Sequence, residues 1–242
     1  MKIIYLLISF SLLATPGFTQ KQRVLVLSDI EADPDDAQSL VRFLTYSNQW
    51  DIEGLIATTS IHQKEWAAVE TMHDIVNAYA KVQPNLLKHE PGYPTAAFLK
   101  TKIKKGLEKY GMEGVGEGKD SEGSDWLIKV LEKPDLRPLW VCIWGGSNCL
   151  AQALWKIKNT KSSTEADKLY QKLRVYTISD QDDSNPWIRK TFPSIFFIVS
   201  PGYTYMSATW RGINVKPEGF DNEVISDAWL AENIQQKHSV LG

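Results

Sequence analysis

The sequence predicts an α/β fold, a mainly parallel, Rossmann-like sheet flanked by helices. Three observations carry this. Apolar runs of strand length alternate with stretches of helical periodicity along most of the chain. Several runs, such as RVLVLS (23–28) and IFFIVS (195–200), are apolar on consecutive residues, as in strands covered on both faces. Acids and glycines gather where the runs end, the position at which open α/β sheets hold ligands.

Taken in order, RVLVLS is the first strand, and PDDAQSLVRFLTYSN (34–48) follows as a helix whose apolar face is Leu40, Val41, Phe43 and Leu44. IEGLIATT (52–59) is a strand. KEWAAVETMHDIVNAYAKV (64–82) is a long helix with Trp66, Val69, Met72, Ile75, Val76 and Tyr79 at apolar positions. LWVCIW (139–144) is a strand ahead of a helix opened by NCLAQALWKIK (148–158). RVYTIS (174–179) is a strand before PWIRKTF (186–192), and IFFIVS is one more. Between Gly92 and Gly123 the periodicity dissolves into Gly, Lys and Glu, which predicts either a disordered spacer or a mobile lid. From Tyr203 onward the periodicity is weak.

A chain of 242 residues with 43% hydrophobic content buries one large core, and no linker divides it, so residues 21–242 read as one domain. The formal net charge is −2 and the basic residues are scattered, which excludes nucleic acid as a partner. Residues 1–20 carry one Lys, an apolar run from Ile3 to Ala14 and then a small, polar stretch. This is the pattern of a signal peptide, too short to span a membrane. The expectation is a secreted or periplasmic protein with no membrane attachment after signal removal. Cys142 and Cys149 flank a strand-to-helix turn that points side chains different ways, so two buried thiols are expected rather than a disulfide or a metal pair.

The first strand ends in SDIEADPDD, with Asp29, Glu31, Asp33, Asp35 and Asp36 inside eight positions. Helix capping explains part of this: Asp33 fits an N-cap, Pro34 the first helical position, and Asp35 and Asp36 the first turn. Each acid gains only about 0.3–1 kcal/mol there, whereas two carboxylates ~5 Å apart repel by roughly 3 kcal/mol at an effective dielectric near 20. A hard cation answers that repulsion, and an all-oxygen donor set selects Ca²⁺, with Mg²⁺ as the lesser alternative. An EF-hand is excluded, because Pro34 stands where its loop needs Gly and Leu40 where it needs Glu. Two other strand ends could complete a site. IWGGSN (143–148) has paired glycines before a helix start, which also suits a plain turn capped by Ser147 or Asn148. ISDQDDSNPW (178–187) repeats the acid-then-proline design.

SDIEADPDDAQSLVRFL resembles the acidic motif of the nucleoside hydrolases, D-x-D-P-G-x-D-D after a first strand. DIEGLIATTS and VCIWGGSNCLAQAL are similar to later segments of that family. The likeness is strongest to a secreted, nucleoside-hydrolase-like branch described as cellulose-binding, in which DPDDAQSLVRFL, WGGSNCLAQAL and ISDQDDSNPWIRKTFP are all recognisable. The resemblance implies one Ca²⁺ held by Asp29, Glu31, Asp36 and the Trp144 carbonyl, with Asp33 as a further ligand. It implies Asp29 and Glu31 as the catalytic carboxylates, taking the proton of a metal-bound water, and Asp35, Asn148, Asp182 and Asn185 as substrate contacts. The implied reaction is hydrolysis of the N-glycosidic bond of a nucleoside or related ribosyl compound.

This chain departs from the motif: Glu31 replaces the second Asp, Ala32 the Pro and Asp33 the Gly. The family's C-terminal metal-binding Asp and its His have no matching motif here, where only Asp227 and His238 lie, which leaves a fragment or a degenerate member open. His62 and His73 are the remaining candidates for protonating a leaving group. A rival expectation is a carbohydrate-binding protein without turnover, with Trp144, Trp187, Trp210 and Trp229 stacking on sugars. A haloacid-dehalogenase-type phosphatase ranks third, because DIE lacks the second Asp of its DxD pair.

Overall fold

β1 (Gln22–Ser28) runs through the interior of a six-stranded sheet in which every paired neighbour is parallel. The computed structural model describes residues 20–200, 218–219, 221–237 and 240, so the expected signal peptide up to residue 19, Trp210 and His238 lie outside the described residues. After β1 come α1 (Pro34–Thr45), β2 (Trp50–Ala57), α2 (Val69–His89), α3 (Ala96–Lys102) and β3 (Ile103–Lys105). The chain then returns through α4 (Glu122–Leu131) to β4 (Leu139–Ile143), α5 (Asn148–Thr160), α6 (Ser163–Tyr170), β5 (Leu173–Thr177), α7 (Ser184–Thr191) and β6 (Phe196–Val199). The strand order is β3-β2-β1-β4-β5-β6. It reverses between β1 and β4, and a doubly wound sheet opens a crevice at the carboxyl ends of those two strands. No helix of the described residues is long and apolar enough to cross a membrane.

Alternation along β1 builds two cores. Val24 and Val26 pack with Leu40 and Leu44 of α1 and Met72, Val76 and Tyr79 of α2. Leu25 and Leu27 pack with α4 and α5 through Leu127, Val130, Leu150 and Leu154. Cys142 packs against the first core and Cys149 lies in the second; both are free thiols, as expected, and burial pushes each up to about 11. Cover on the first face thins beyond β1. There Tyr176 of β5 is 39% exposed and Phe196 of β6 is 49% exposed.

The sequence places the long helix five residues too early. Residues 64–68 form a link, held where Glu108 accepts from the Ala67 amide at 3.3 Å, and Trp66 is exposed rather than on an apolar face. The expectation of a disordered spacer between Gly92 and Gly123 is corrected, because α3, β3 and the start of α4 lie in that stretch. Its glycines are tied to the rest of the fold. Gly116 exchanges two hydrogen bonds with the Gln152 side chain at 2.8 and 3.0 Å, and Met112 N donates to Asp183 Oδ1 at 2.8 Å.

A bulge at Val24/Leu25 leaves Glu53 as the extra residue on β2, between the pairs Val24–Ile52 and Leu25–Gly54. Its carbonyl accepts from Trp126 Nε1 at 2.7 Å, and its carboxylate meets the fully buried Arg23, Nε to Oε1, at 2.7 Å. Arg23 also donates to the carbonyls of Val130 and Arg137. Lys133 and Arg23 together hold the Glu53 carboxyl below its usual range against the opposing pull of burial. Replacing Arg23 by Met should cost about 3–5 kcal/mol in urea denaturation, since it strands a buried charge. If the loss is no larger than that of a surface pair, about 1 kcal/mol or less, then Lys133 alone sustains Glu53.

Candidate functional site

The crevice begins where β1 gives way to a tight turn. Ala32 N donates to Asp29 O at 2.9 Å, and Glu31, at the third turn position, takes φ 82°. Glycine adopts that conformation freely, but a residue with a Cβ pays roughly 1–2 kcal/mol for it. The turn sends Glu31 outward, where its carboxylate accepts from Thr71 Oγ1 of α2 at 2.8 Å. Asp33 occupies the N-cap position of α1 in extended conformation, but its side chain makes no capping bond and is exposed. Asp35 is half-buried in the first turn.

Asp29 and Asp36 behave differently. They are 3% and 9% exposed, and each has a hydroxyl partner: Ser60 for Asp29, and Ser28 Oγ, which donates to Asp36 Oδ1. Ser28 Oγ also accepts from Ile30 N at 3.1 Å, so the hydroxyl is fixed from both sides. Burial raises the Asp29 carboxyl above the ordinary carboxylate range, with Ser60 and His62 opposing. Burial, followed by the charge of Asp29, pushes Asp36 up to about 7. Of the five acids at this strand end, the fold brings two together out of water and directs two to solvent.

β4 supplies the opposite wall. Trp144 N donates to Leu27 O at 2.8 Å, and the Trp144 carbonyl accepts from Gln181 Nε2 at 2.6 Å. Next come Gly145 and Gly146, and here the lack of side chains is a packing necessity. A Cβ on Gly145 would stand 2.4 Å from Asp29 Oδ1, and one on Gly146 would stand 2.3 Å from Thr59 O and 2.6 Å from Asp182 Oδ2. The strand-end glycines thus allow the backbone to lie directly on the acids.

The remaining predicted contacts sit behind this wall. Asp182 is buried and accepts from Ser147 N at 2.8 Å, Ser147 Oγ at 3.1 Å, Ser184 N at 3.0 Å and Ser184 Oγ at 2.6 Å. Asn148 donates to Thr59 Oγ1, Leu107 O and Lys109 O, and Asn185 to Thr177 Oγ1 and Ser179 O. These three side chains knit β2, β4 and β5 together. The Oδ1 atoms of Asn148 and Asn185 are buried without a hydrogen-bond partner. Of the imidazoles, His62 is exposed on the loop after β2, close enough to Asp29 to lower its pKa, while His73 lies within α2. Asp227 opens a short helix (Asp227–Leu230) and is exposed.

Sequence reasoning missed Ser60 and Gln181, whose parts depend on loops that the fold alone brings to Asp29 and Trp144. It also missed a trough of about 580 Å³ that runs from Asp35 and Asp36 along α1, with Phe43, Tyr46, Trp144 and Tyr176 on its walls. The Trp144 indole meets Phe43 edge to face, centroids 6.2 Å apart, whereas Trp187 packs on Phe192 at 5.5 Å. Among the described residues no three His, Cys, Asp or Glu side chains converge as a metal shell. Asp29 and Asp36 are the buried carboxylates of the crevice, and the Trp144 carbonyl, the further donor expected from the sequence, is engaged by Gln181.

The family model described as "Cellulose-binding Sde182, nucleoside hydrolase-like domain" matches residues 23–242. The chain belongs to this family. A solved structure described as a nucleoside hydrolase-related hypothetical protein from Saccharophagus degradans, associated with carbohydrate metabolism, is 40% identical with a TM-score of 0.78. The match covers 92% of this chain and 50% of that one, so the Sde182-like chain spans half the length of its structural relative. No curated protein matches it. The nucleoside-hydrolase-like fold implied by the acidic and Gly-rich motifs is therefore shown.

The raised Asp36 carboxyl sets a pH dependence. Its folded pKa, about 7, lies above the 3.8 of an ordinary Asp, so between these limits the folded chain holds a proton that the unfolded chain has lost. Stability contributed by this group is greatest near pH 4 and falls as pH rises to about 7, by up to roughly 4 kcal/mol. Denaturation of metal-free protein across this range should show the decline, and Asp36→Asn should flatten it. An unchanged slope in Asp36→Asn would mean that the proton sits elsewhere.

Proposed function

We propose that the crevice takes a nucleoside or related ribosyl compound and that the chain hydrolyses its N-glycosyl bond with the help of Ca²⁺. The observation that supports this most directly is the pair Asp29 and Asp36, buried side by side at the strand-order reversal with no Lys or Arg paired to either among the described residues. Such a pair gains most from a divalent cation. The donor set, two carboxylates and the Trp144 carbonyl, is all oxygen and tolerant of irregular geometry, which fits Ca²⁺ better than Mg²⁺. Ca²⁺ bound there supplies an acidified water and an anchor for sugar hydroxyls.

The chain's own residues do the rest. Asp29 accepts the proton of the attacking water. The anionic pair stabilises the positive charge that develops on the sugar as the base departs. The trough walls exclude water from one side of the ligand. Asp35, half-buried at the trough mouth, is available to ribose hydroxyls. The signal-like residues 1–20 support action outside the cytoplasm.

A second reading, carbohydrate binding without turnover, is favoured by Glu31. The residue in the place of the motif's second Asp is tied to Thr71 instead of facing Asp29. The family's description as cellulose-binding points the same way. A panel of nucleosides incubated with Ca²⁺ or with chelator, with free ribose as the readout, separates the two. Hydrolysis should be lost with chelator and should fall at least 100-fold in Asp36→Ala. Calcium binding by calorimetry with no ribose released from any nucleoside would favour the binding protein, and no calcium binding at all would remove the proposed cofactor.

A further inference from the structure

The rim opposite the crevice, at the amino ends of β1, β2 and β3, carries charge that the proposed function does not use. A cavity of about 330 Å³ opens there between Lys21, Lys102, Lys133 and Arg137, with Asp51 and Glu53 as its acids. Both acids are already engaged: Glu53 with Arg23 and Lys133, and Asp51 Oδ2 with Arg137 at 2.6 Å. Lys102 is left over. It is 8% exposed, yet its Nζ comes no nearer than 4.0 Å to Glu53 Oε2, beyond hydrogen-bonding distance. Its other neighbours are the rings of Phe98 at 4.6 Å and Trp126 at 5.6 Å.

An ammonium has three N–H donors and is costly to bury without acceptors. Phe98 and Trp126 offer only cation–π attraction, and Trp126 is shared with Lys104 at 4.8 Å and Lys129 at 5.1 Å. Burial, then the charge of Lys133, lowers the Lys102 pKa, while Glu53 opposes them. The positive field here exceeds what the local carboxylates cancel.

We propose that this cavity binds a small oxyanion, a phosphate, sulfate or carboxylate group, with Lys102 as its buried anchor. Several oxygens on one centre can accept from Lys102, Lys133 and Lys21 together, which a single water cannot do. The group can arrive free or attached to an acidic sugar, and the apolar wall of Trp50, Pro94 and Phe98 leaves room for an attached ring.

Titration calorimetry at constant ionic strength in chloride, with inorganic phosphate, sulfate, acetate and glucuronate as probes, tests this. Saturable binding of at least one probe is expected, weakened at least tenfold in Lys102→Gln and more modestly in Lys21→Gln. Glucuronate binding that exceeds acetate identifies an acidic sugar, whereas phosphate or sulfate binding alone identifies a free oxyanion. Lys21 stands at the cavity wall, so Lys21→Gln keeps the test open if Lys102→Gln does not fold. No saturable binding of any probe, or equal affinity in the parent and both variants, overturns the proposal.

Discussion

Asp29 and Asp36 are held out of water where the strand order reverses, and their mutual repulsion has to be balanced on the spot. Ser28 and Ser60 each supply one hydroxyl, and Gly145 brings backbone onto the Asp29 carboxylate with no space between. Neither hydroxyl carries charge. The balance is therefore struck either by a proton, favoured by burial and then by the charge of Asp29, which push Asp36 up to about 7, or by a bound cation. Everything proposed for the crevice follows from that choice, because the group that answers the repulsion also sits where a ligand enters the trough.

The two ends of the sheet are opposites in charge. At the carboxyl ends, the buried carboxylates Asp29 and Asp36 have no Lys or Arg paired to them among the described residues. At the amino ends, Arg23, Lys102, Lys133 and Arg137 surround carboxylates that are each already paired. The buried Arg23–Glu53 pair also fixes the bulge in β2, so the cationic end is a structural device as well as a proposed anion site.

Strands with four or more apolar residues in succession, and helices with a continuous apolar stripe, were legible in the sequence because their burial is written into residue type. β3 was not, since Ile103-Lys104-Lys105 gives three residues and two charges, and its strand character comes from pairing with Leu55–Ala57. α4 had a legible start in Ser121 and Ser124, which cap each other, but Gly-rich flanks obscured it. In the crevice, the run of five acids was visible from spacing, and the resemblance to the nucleoside hydrolase motif marked Asp29 and Asp36 within it. The outward turn of Glu31 was not, because it depends on a left-handed backbone that a Glu gives no reason to expect. Nor was the bond from Gln181 to the Trp144 carbonyl, which joins residues 37 positions apart.

The uneven cover of the sheet has a consequence for how the molecule breathes. β1 and β2 are sealed on both sides, whereas β6 has four residues, lies at an edge, and leaves Phe196 and Ile198 wet on the face that Tyr176 shares. Protection of backbone amides tracks buried apolar contact. Opening is therefore expected at the β6 margin before β1, which would anchor the acidic crevice in the slowly exchanging part of the fold.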